Sequence, residues 1–259
     1  MKKTALITGA SSGLGTEFAH IHASKGGNLV LVARSKEKME MLQAKLQSQY
    51  GVTVHVICKD LSEQSAPKAI FDELADRKIR VDYLINNAGF GDFGEFAECD
   101  WEKQLQMINL NITALTYLTR LFLPAMVANK YGRVLNVAST AAFQPGPTMS
   151  VYFATKAFVL SFSEAIANEL NGTGVRVTAL CPGATATGFK QAASLDESNL
   201  FKGNGIATAT EVAEFGYKSM KSGKTVVVHG FVNSLMAQSV RFAPRKIVTA
   251  IARQKLKAI

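Results

Sequence analysis

The chain alternates. Short, unbroken apolar runs are followed, time after time, by stretches with helical patterning. Thr4–Thr8 (TALIT), Asn28–Ala33 (NLVLVA), Val52–Cys58, Val81–Asn86 (VDYLIN), Arg133–Ala138 (RVLNVA), Val175–Leu180 and Lys224–His229 read as strands. Continuous rather than alternating apolarity indicates strands buried on both faces. Helices lying between such strands imply parallel pairing with right-handed crossovers. The expected fold class is therefore α/β: a doubly wound parallel sheet of about seven strands with helices on both faces.

The helical stretches run from the end of the Gly9–Gly15 turn to about Lys25, from Lys36 to Gln49, and from a Ser62 cap to about Lys78. A long one starts at Asp100 or Trp101 and reaches about Asn129, and two more span Val151–Asn171 and Thr210–Ser222. From Leu235 onward the chain reads as helical, broken near Pro244. Residues 184–209 are small, polar and Gly-bearing, and are expected to form a mobile segment. No linker, repeat or low-complexity tract divides residues 1–259, so one domain with a basic helical extension over about 235–259 is expected.

Composition narrows the function classes. Of the formal net charge of +9, six positive charges (Arg241, Arg245, Lys246, Arg253, Lys255, Lys257) lie in the tail with no Asp or Glu among them, leaving the body near +3. Without a basic stripe interleaved with aromatics, nucleic-acid binding is not expected. Three scattered Cys and four His lack CxxC and HExxH spacing, so neither a disulfide framework nor a metal site is expected. MKKTALITG enters a strand directly and has no signal-peptide pattern. No apolar stretch reads as a transmembrane span, and the default expectation is a cytoplasmic protein.

Two constellations carry chemistry. In the first, Thr8-Gly9-Ala10-Ser11-Ser12-Gly13-Leu14-Gly15 follows a strand and opens a helix within a βαβ unit. Glycines there let backbone N–H groups approach a pyrophosphate, and the helix N-terminus favours the anion. The spacing is TGxxxGxG rather than GxGxxG. About 20 residues further on, where a ribose-reading carboxylate would stand, the sequence has Ala33-Arg34-Ser35. A guanidinium suits a 2′-phosphate, so NADP is favoured, with NAD the alternative. Arg34 has a plainer reading, a side chain reaching past a strand end. Asp60, followed by Leu61, can accept a hydrogen bond from an adenine amino group or simply neighbour a helix cap. Asn87-Ala88-Gly89 ends the fourth strand at the crevice where open α/β sheets bind ligands. Asn87 serves equally well as a tie between strands.

The second constellation is Ser139, Tyr152 and Lys156. On a helix, Tyr152 and Lys156 share a face one turn apart. A nearby ammonium lowers a phenol from its usual value near ~10 by about 1–3 units. That makes Tyr152 a proton donor or acceptor, with Ser139 folded back to it by the intervening Pro- and Gly-bearing loop. The plainer reading is a loop and helix with one surface Lys.

With TGASSGLG, NNAG, Ser139 and YFATK in this order, the sequence resembles the short-chain dehydrogenase/reductase family from about Thr4 to His229. The tail resembles its "DltE-like" bacterial branch. The resemblance implies a Rossmann-like fold and an NAD(P)-dependent oxidoreductase acting on CH–OH and C=O groups. It implies a catalytic triad of Ser139, Tyr152 and Lys156, with Asn111 as fourth member, Asn109 being the alternative. Asn111 would position a water linking Lys156 to solvent. Tyr152 and Lys156 would also face the cofactor, as would Pro182-Gly183, Thr185 and Thr187. Ala138 stands where the family often has a second Ser.

Phe90, Phe93, Phe143, Pro145, Met149 and Phe189 are candidate pocket residues, or core packing. They imply an uncharged or largely apolar carbonyl or secondary alcohol, with segment 184–209 closing over it. A 3-oxoacyl-thioester reductase is the alternative enzyme, and a non-catalytic cofactor-binding regulator the alternative class. The intact Ser-Tyr-Lys set speaks against the regulator. Apolar residues on the helices at 101–129 and 151–171, including Leu115, Leu118, Phe122, Phe158 and Phe162, fit a homo-oligomer. The basic tail reads as a solvated helix or subunit contact, or as a contact to a membrane surface or acyl-carrier phosphates.

Overall fold

The computed structural model describes residues 2–186 and 206–256. Its first unit is strand β1 (Thr4–Thr8), helix α1 (Gly13–Ser24) and strand β2 (Asn28–Ala33), followed by α2 (Lys36–Tyr50), β3 (Val54–Cys58) and α3 (Ala66–Asp76). Then come β4 (Tyr83–Asn86), α4 (Trp101–Ile108), a π-helical turn at Asn109–Ala114, α5 (Leu115–Ala128) and β5 (Gly132–Val137). The rest is α6 (Ser150–Glu169), β6 (Val175–Cys181), a short pair β7 (Thr185–Ala186) and β8 (Ala207–Thr208), α7 (Ala209–Ser222), β9 (Val226–Val228), α8 (Phe231–Ser239) and α9 (Arg245–Leu256).

The main sheet has seven strands in the order β3-β2-β1-β4-β5-β6-β9. Every pairing in it is parallel. All five residues of β1 are buried. Successive side chains of a strand point to opposite faces, and both faces here are covered. Ala5 and Ile7 join Phe18, Met39, Val212 and Tyr217 in one layer, while Leu6 joins Ile70, Leu118, Phe122 and Ile166 in the other. The strand order reverses at β1, which has β2 on one side and β4 on the other. Beyond the carboxyl ends of β1 and β4 the crossovers diverge, leaving the crevice that such sheets use for ligands.

Locally the structure departs from the sequence pattern at several points. Ser62 does not cap α3; its N–H and hydroxyl both donate to Asp60 Oδ1, at 2.9 and 2.8 Å. The helix begins at Ala66 with Pro67 in its first turn, where a missing N–H costs nothing. The long helix at 101–128 is interrupted by the π turn. Trp101–Ala128 has a window of mean hydropathy 1.3, long and apolar enough by composition to cross a membrane. In this fold Leu118, Phe122 and Met126 are buried in the layer beneath the sheet, which accounts for much of that apolarity. Most of the segment expected to be mobile and to close over the site, residues 187–205, lies outside the described residues; at its two ends β7 and β8 pair in parallel, Thr185 with Ala207 and Ala186 with Thr208. Thr208 then starts α7 with a capping box, its hydroxyl accepting from Glu211 N–H at 3.2 Å.

Candidate active site

Thr8 and Asn87 set the crevice floor. The Thr8 hydroxyl accepts from the N–H groups of Asn87 and Ala88 at 3.0 and 2.9 Å. Asn87 Nδ2 donates to the Thr8 and Gly9 carbonyls at 2.9 and 3.3 Å. Asn87 is thus a strand tie, and Thr8, which sequence reasoning left without a role, is its partner. Gly9 sits at φ +66°, and a Cβ there would lie 2.9 Å from Asn87 Nδ2 and 3.0 Å from Ala88 Cα. A Cβ on Gly15 would collide with the Gly9 carbonyl oxygen. The turn therefore needs hydrogen at both positions. Ser11 is half-buried, and Ser12 is the exposed N-cap of α1, whose first turn has no acidic residue; Gly13, at φ +55°, and Leu14 open the helix. A tight glycine turn that opens directly into a helix N-terminus fits a dinucleotide pyrophosphate.

At the adenosine end, Arg34 is largely exposed and its guanidinium lies 3.7 Å from Asp60 Oδ2. Burial acts to raise the Asp60 carboxyl, but the Ser62 hydrogen bonds and Arg34 outweigh it and hold the group below its usual range. Leu61 is buried beside it. An exposed guanidinium with one loose carboxylate partner has donors left for a phosphate.

Ser139 lies two residues past the end of β5 and Tyr152 in the first turn of α6. Their two elements meet at a short 3-10 helix, Thr140–Phe143, whose Ala141 N–H donates to Ser139 Oγ at 3.1 Å. Tyr152 is buried, and burial pushes its phenol up to about 12, opposed by a hydrogen bond with the Ser139 side chain. Lys156, one turn on, is buried as well; its Nζ lies 5.7 Å from the Tyr152 ring centre and donates to the Val137 carbonyl at 2.8 Å. Burial brings its ammonium down to about 8, with Cys181 acting weakly the other way. The expected depression of the phenol by Lys156 is not found: loss of hydration raises the phenol, and the Ser139 hydrogen bond opposes it. At neutral pH the pair is a protonated phenol beside an ammonium.

Asn111 lies in the π turn, almost fully buried. Its Nδ2 donates to Phe90 O at 2.9 Å and to Thr155 Oγ1 at 3.1 Å, and its Oδ1 accepts from Phe90 N–H at 3.2 Å. Both amide hydrogens are thus committed to holding the loop after β4 against α6. Asn109, the first residue of the same turn, is only half-buried. A Cβ on Gly89 would stand 3.0 Å from Asn111 Oδ1 and 3.5 Å from Lys156 Nζ, so a glycine keeps open the space between NNAG and the ammonium. A π turn costs hydrogen-bond geometry and commonly marks a functional site.

Pro182 carbonyl accepts from Thr140 N–H at 2.9 Å, tying the end of β6 to the Ser139 turn. Gly183 approaches Asn233, and Thr185 Oγ1 donates to Gly183 O at 3.0 Å. Thr187 and Phe189 lie outside the described residues. Of the candidate pocket residues, Phe90, Phe93 and Met149 pack in one cluster with Tyr152, Phe153 and Met107. Phe143 belongs instead to the packing beneath β6, with Ala142, Leu160 and Cys181. Pro145 is half-buried in the intervening loop. Leu256, from the tail, also joins the Tyr152 cluster; its i, i+4 relation to Ala252 and Val248 was the only signal the sequence offered.

Residues 3–198 match the short chain dehydrogenase family model. The chain is similar to sulfoacetaldehyde reductase of Chromohalobacter salexigens, 37% identical over 226 residues, 83% of this chain and 86% of that protein. Among solved structures it resembles a short-chain dehydrogenase from Sphingobium yanoikuyae in complex with NADPH, at TM-score 0.83 and 33% identity, covering 93% of each chain. It also resembles the bulky-bulky ketone specific alcohol dehydrogenase from Comamonas testosteroni, at TM-score 0.79 and 30% identity, covering 93% of this chain and 92% of that one. The chain belongs to the short chain dehydrogenase family, NAD(P)-dependent oxidoreductases that interconvert alcohols and carbonyls.

Proposed function

We propose that this enzyme reduces a largely apolar ketone or aldehyde with NADPH, using Tyr152 as the proton donor. The observation that carries the reading is the buried Tyr152 phenol, hydrogen-bonded by Ser139 and one turn from the Lys156 ammonium. A bound nicotinamide would supply the hydride. The protein's part is the proton. Ser139 orients the carbonyl oxygen, and Tyr152 O–H gives its proton to that oxygen as negative charge develops there. Lys156 keeps a positive charge near the phenol, stabilising the phenolate left behind. Asn111 holds Phe90 and α6 in register so that this pair faces the crevice.

Cofactor contacts are assigned to Gly9, Ser11, Ser12, Gly13, Leu14 and Gly15 for the pyrophosphate, and to Arg34, Asp60 and Leu61 for the adenosine. Asn87, Ala88 and Gly89, with Pro182, Gly183, Thr185 and Thr187, are assigned to the remainder. Arg34, exposed and loosely paired, supports the preference for a 2′-phosphate. The Sphingobium relative's NADPH complex points the same way. The apolar cluster around Tyr152 supports an uncharged substrate, as does the likeness to an alcohol dehydrogenase specific for bulky ketones. Of the residues expected at a subunit contact, Leu115, Leu118 and Phe122 are buried in the protein's own core, but exposed Phe158, with Trp101, Leu105 and Val127 on the same helices, supports a homo-oligomer. The test is oxidation of NADPH against NADH by the purified protein over a panel of aliphatic and cyclic ketones. Turnover with NADPH is expected; a clear preference for NADH, or turnover confined to charged carbonyls, would overturn the reading.

A further inference from the structure

The tail beyond β9 does more than present cations. Helix α9 has one buried stripe, Val248, Ala252 and Leu256, spaced four apart and so on one face. Leu256 is 2% exposed and belongs to the apolar cluster of Met107, Met149, Tyr152 and Phe153, against which Phe90 and Phe93 pack. One turn earlier, Arg253 pairs with Glu95 at 2.7 Å. Glu95 stands on the loop after β4 that carries Phe90 and Phe93. That loop is itself anchored on two sides: Asp92 accepts from Gln104 at 2.7 Å, and Gly94 N–H donates to Thr148 O at 2.8 Å. The same tail helix therefore meets the proton donor's apolar surroundings through Leu256 and the neighbouring loop through Arg253.

We infer that α9 forms the outer wall of the substrate pocket and that Leu256 sets how bulky a ketone can approach Tyr152. The Arg253–Glu95 pair is a positioning contact that holds the wall in register. The inference rests on Tyr152 being the proton donor. The group it selects is the apolar substituent of the carbonyl, which would lie against Leu256, Phe90, Phe93 and Met149. Shortening Leu256 would open space inside the cluster on which that substituent rests, and one methylene in a hydrophobic pocket is worth about 10–200-fold in discrimination.

The experiment compares cyclohexanone with 4-tert-butylcyclohexanone as substrates of the full chain with NADPH. In Leu256→Ala the kcat/KM ratio of bulky to small ketone is expected to rise on the order of tenfold, through KM rather than kcat, with NADPH affinity unchanged. Glu95→Arg is expected to raise KM for both ketones a few fold, and the exchange Glu95→Arg with Arg253→Glu to restore it. Thermal stabilisation by each ketone in the presence of NADPH reads the wall without turnover. If Leu256→Ala folds and leaves both the kinetic ratio and the stabilisation by the two ketones unchanged, the wall is wrong. If Tyr152→Phe turns over like the unaltered chain, the proton-donor reading fails instead, and the binding ratio still decides the wall by itself.

Discussion

The Lys156 ammonium lies 5.7 Å from the centre of the Tyr152 ring and is anchored by a 2.8 Å hydrogen bond to the Val137 carbonyl. It belongs to the end of β5 as much as to the phenol. Both groups are buried, and burial moves them in opposite directions, the phenol up to about 12 and the ammonium down to about 8. Each shift favours its neutral form. In reduction the phenol must arrive protonated, which this arrangement secures across the neutral range.

Activity should therefore fall on the alkaline side because of Lys156 rather than Tyr152. As pH rises through about 8 the ammonium loses its charge, and stabilisation of the developing phenolate is lost. The expected outcome is a fall in kcat/KM for ketone reduction with a midpoint near that value. A flat profile to pH 10 would show that the charge on Lys156 is not needed.

The same shift has a stability consequence of opposite sign. The folded pKa of Lys156 is below its unfolded value near 10.5. Below about pH 8 both states hold the proton and the group adds no slope. Between about 8 and 10.5 the unfolded chain binds the proton and the folded one does not, so its contribution to stability rises with pH. Comparing Lys156→Met with the unaltered chain isolates this term, since Cys181 and the raised tyrosines titrate in both. The stability difference between the two should move in favour of the unaltered chain, on the order of 3 kcal/mol, between pH 8 and 10.5.

Tyr152→Phe removes the transferable proton and keeps the ring in its cluster. Turnover should drop by about 10²–10⁴, the usual worth of a positioned general acid. NADPH affinity, measured by fluorescence titration, should change by no more than a few fold. Retained turnover would remove Tyr152 from the mechanism.

Much of this was legible in the sequence because buried parallel strands are written as unbroken apolar runs. β1 and β2 begin and end where TALIT and NLVLVA do. The glycine turn was legible because Gly9 and Gly15 answer to backbone approach, a demand no other residue meets. What stayed hidden depends on contacts between distant segments. The π turn at Asn109–Ala114 has no compositional mark, since Asn111 is recruited by Phe90 and Thr155 from elsewhere in the chain. Ser62 looked like a cap until Asp60 claimed its hydroxyl. Leu256 looked like one residue of a basic tail, and only packing places it beside Tyr152.

Arg34 offers a test of cofactor choice. Its side chain is 79% exposed and its contact with Asp60 is long, so its removal should leave folding almost untouched. A charge-assisted bond to a 2′-phosphate contributes about 1.5–3 kcal/mol. Arg34→Ala should then raise KM for NADPH by about 10–100-fold while leaving KM for NADH within a few fold. Equal effects on both cofactors would move Arg34 from phosphate recognition to general support of the site.

Asn111 links three elements through one carboxamide. Asn111→Ala would leave the half-buried Phe90 N–H and C=O without this partner, while the buried Thr155 hydroxyl would keep its bond to the Tyr152 carbonyl. Each buried polar group left unsatisfied costs about 1–3 kcal/mol, and some water entry will offset part of it. A loss of about 2–4 kcal/mol in urea unfolding is expected. Because the amide holds Phe90 beside Tyr152, kcat should fall as well, even well below the melting temperature. Asn111→Asp separates the two effects. Its carboxylate can still accept from Phe90 N–H but cannot donate to Phe90 O or Thr155, and it adds a negative charge near Lys156. The alkaline limb of the pH profile should therefore shift upward in Asn111→Asp, because an opposite charge favours the ammonium. An unshifted limb would place Asn111 too far from Lys156 to influence the proton transfer, leaving it a purely architectural residue.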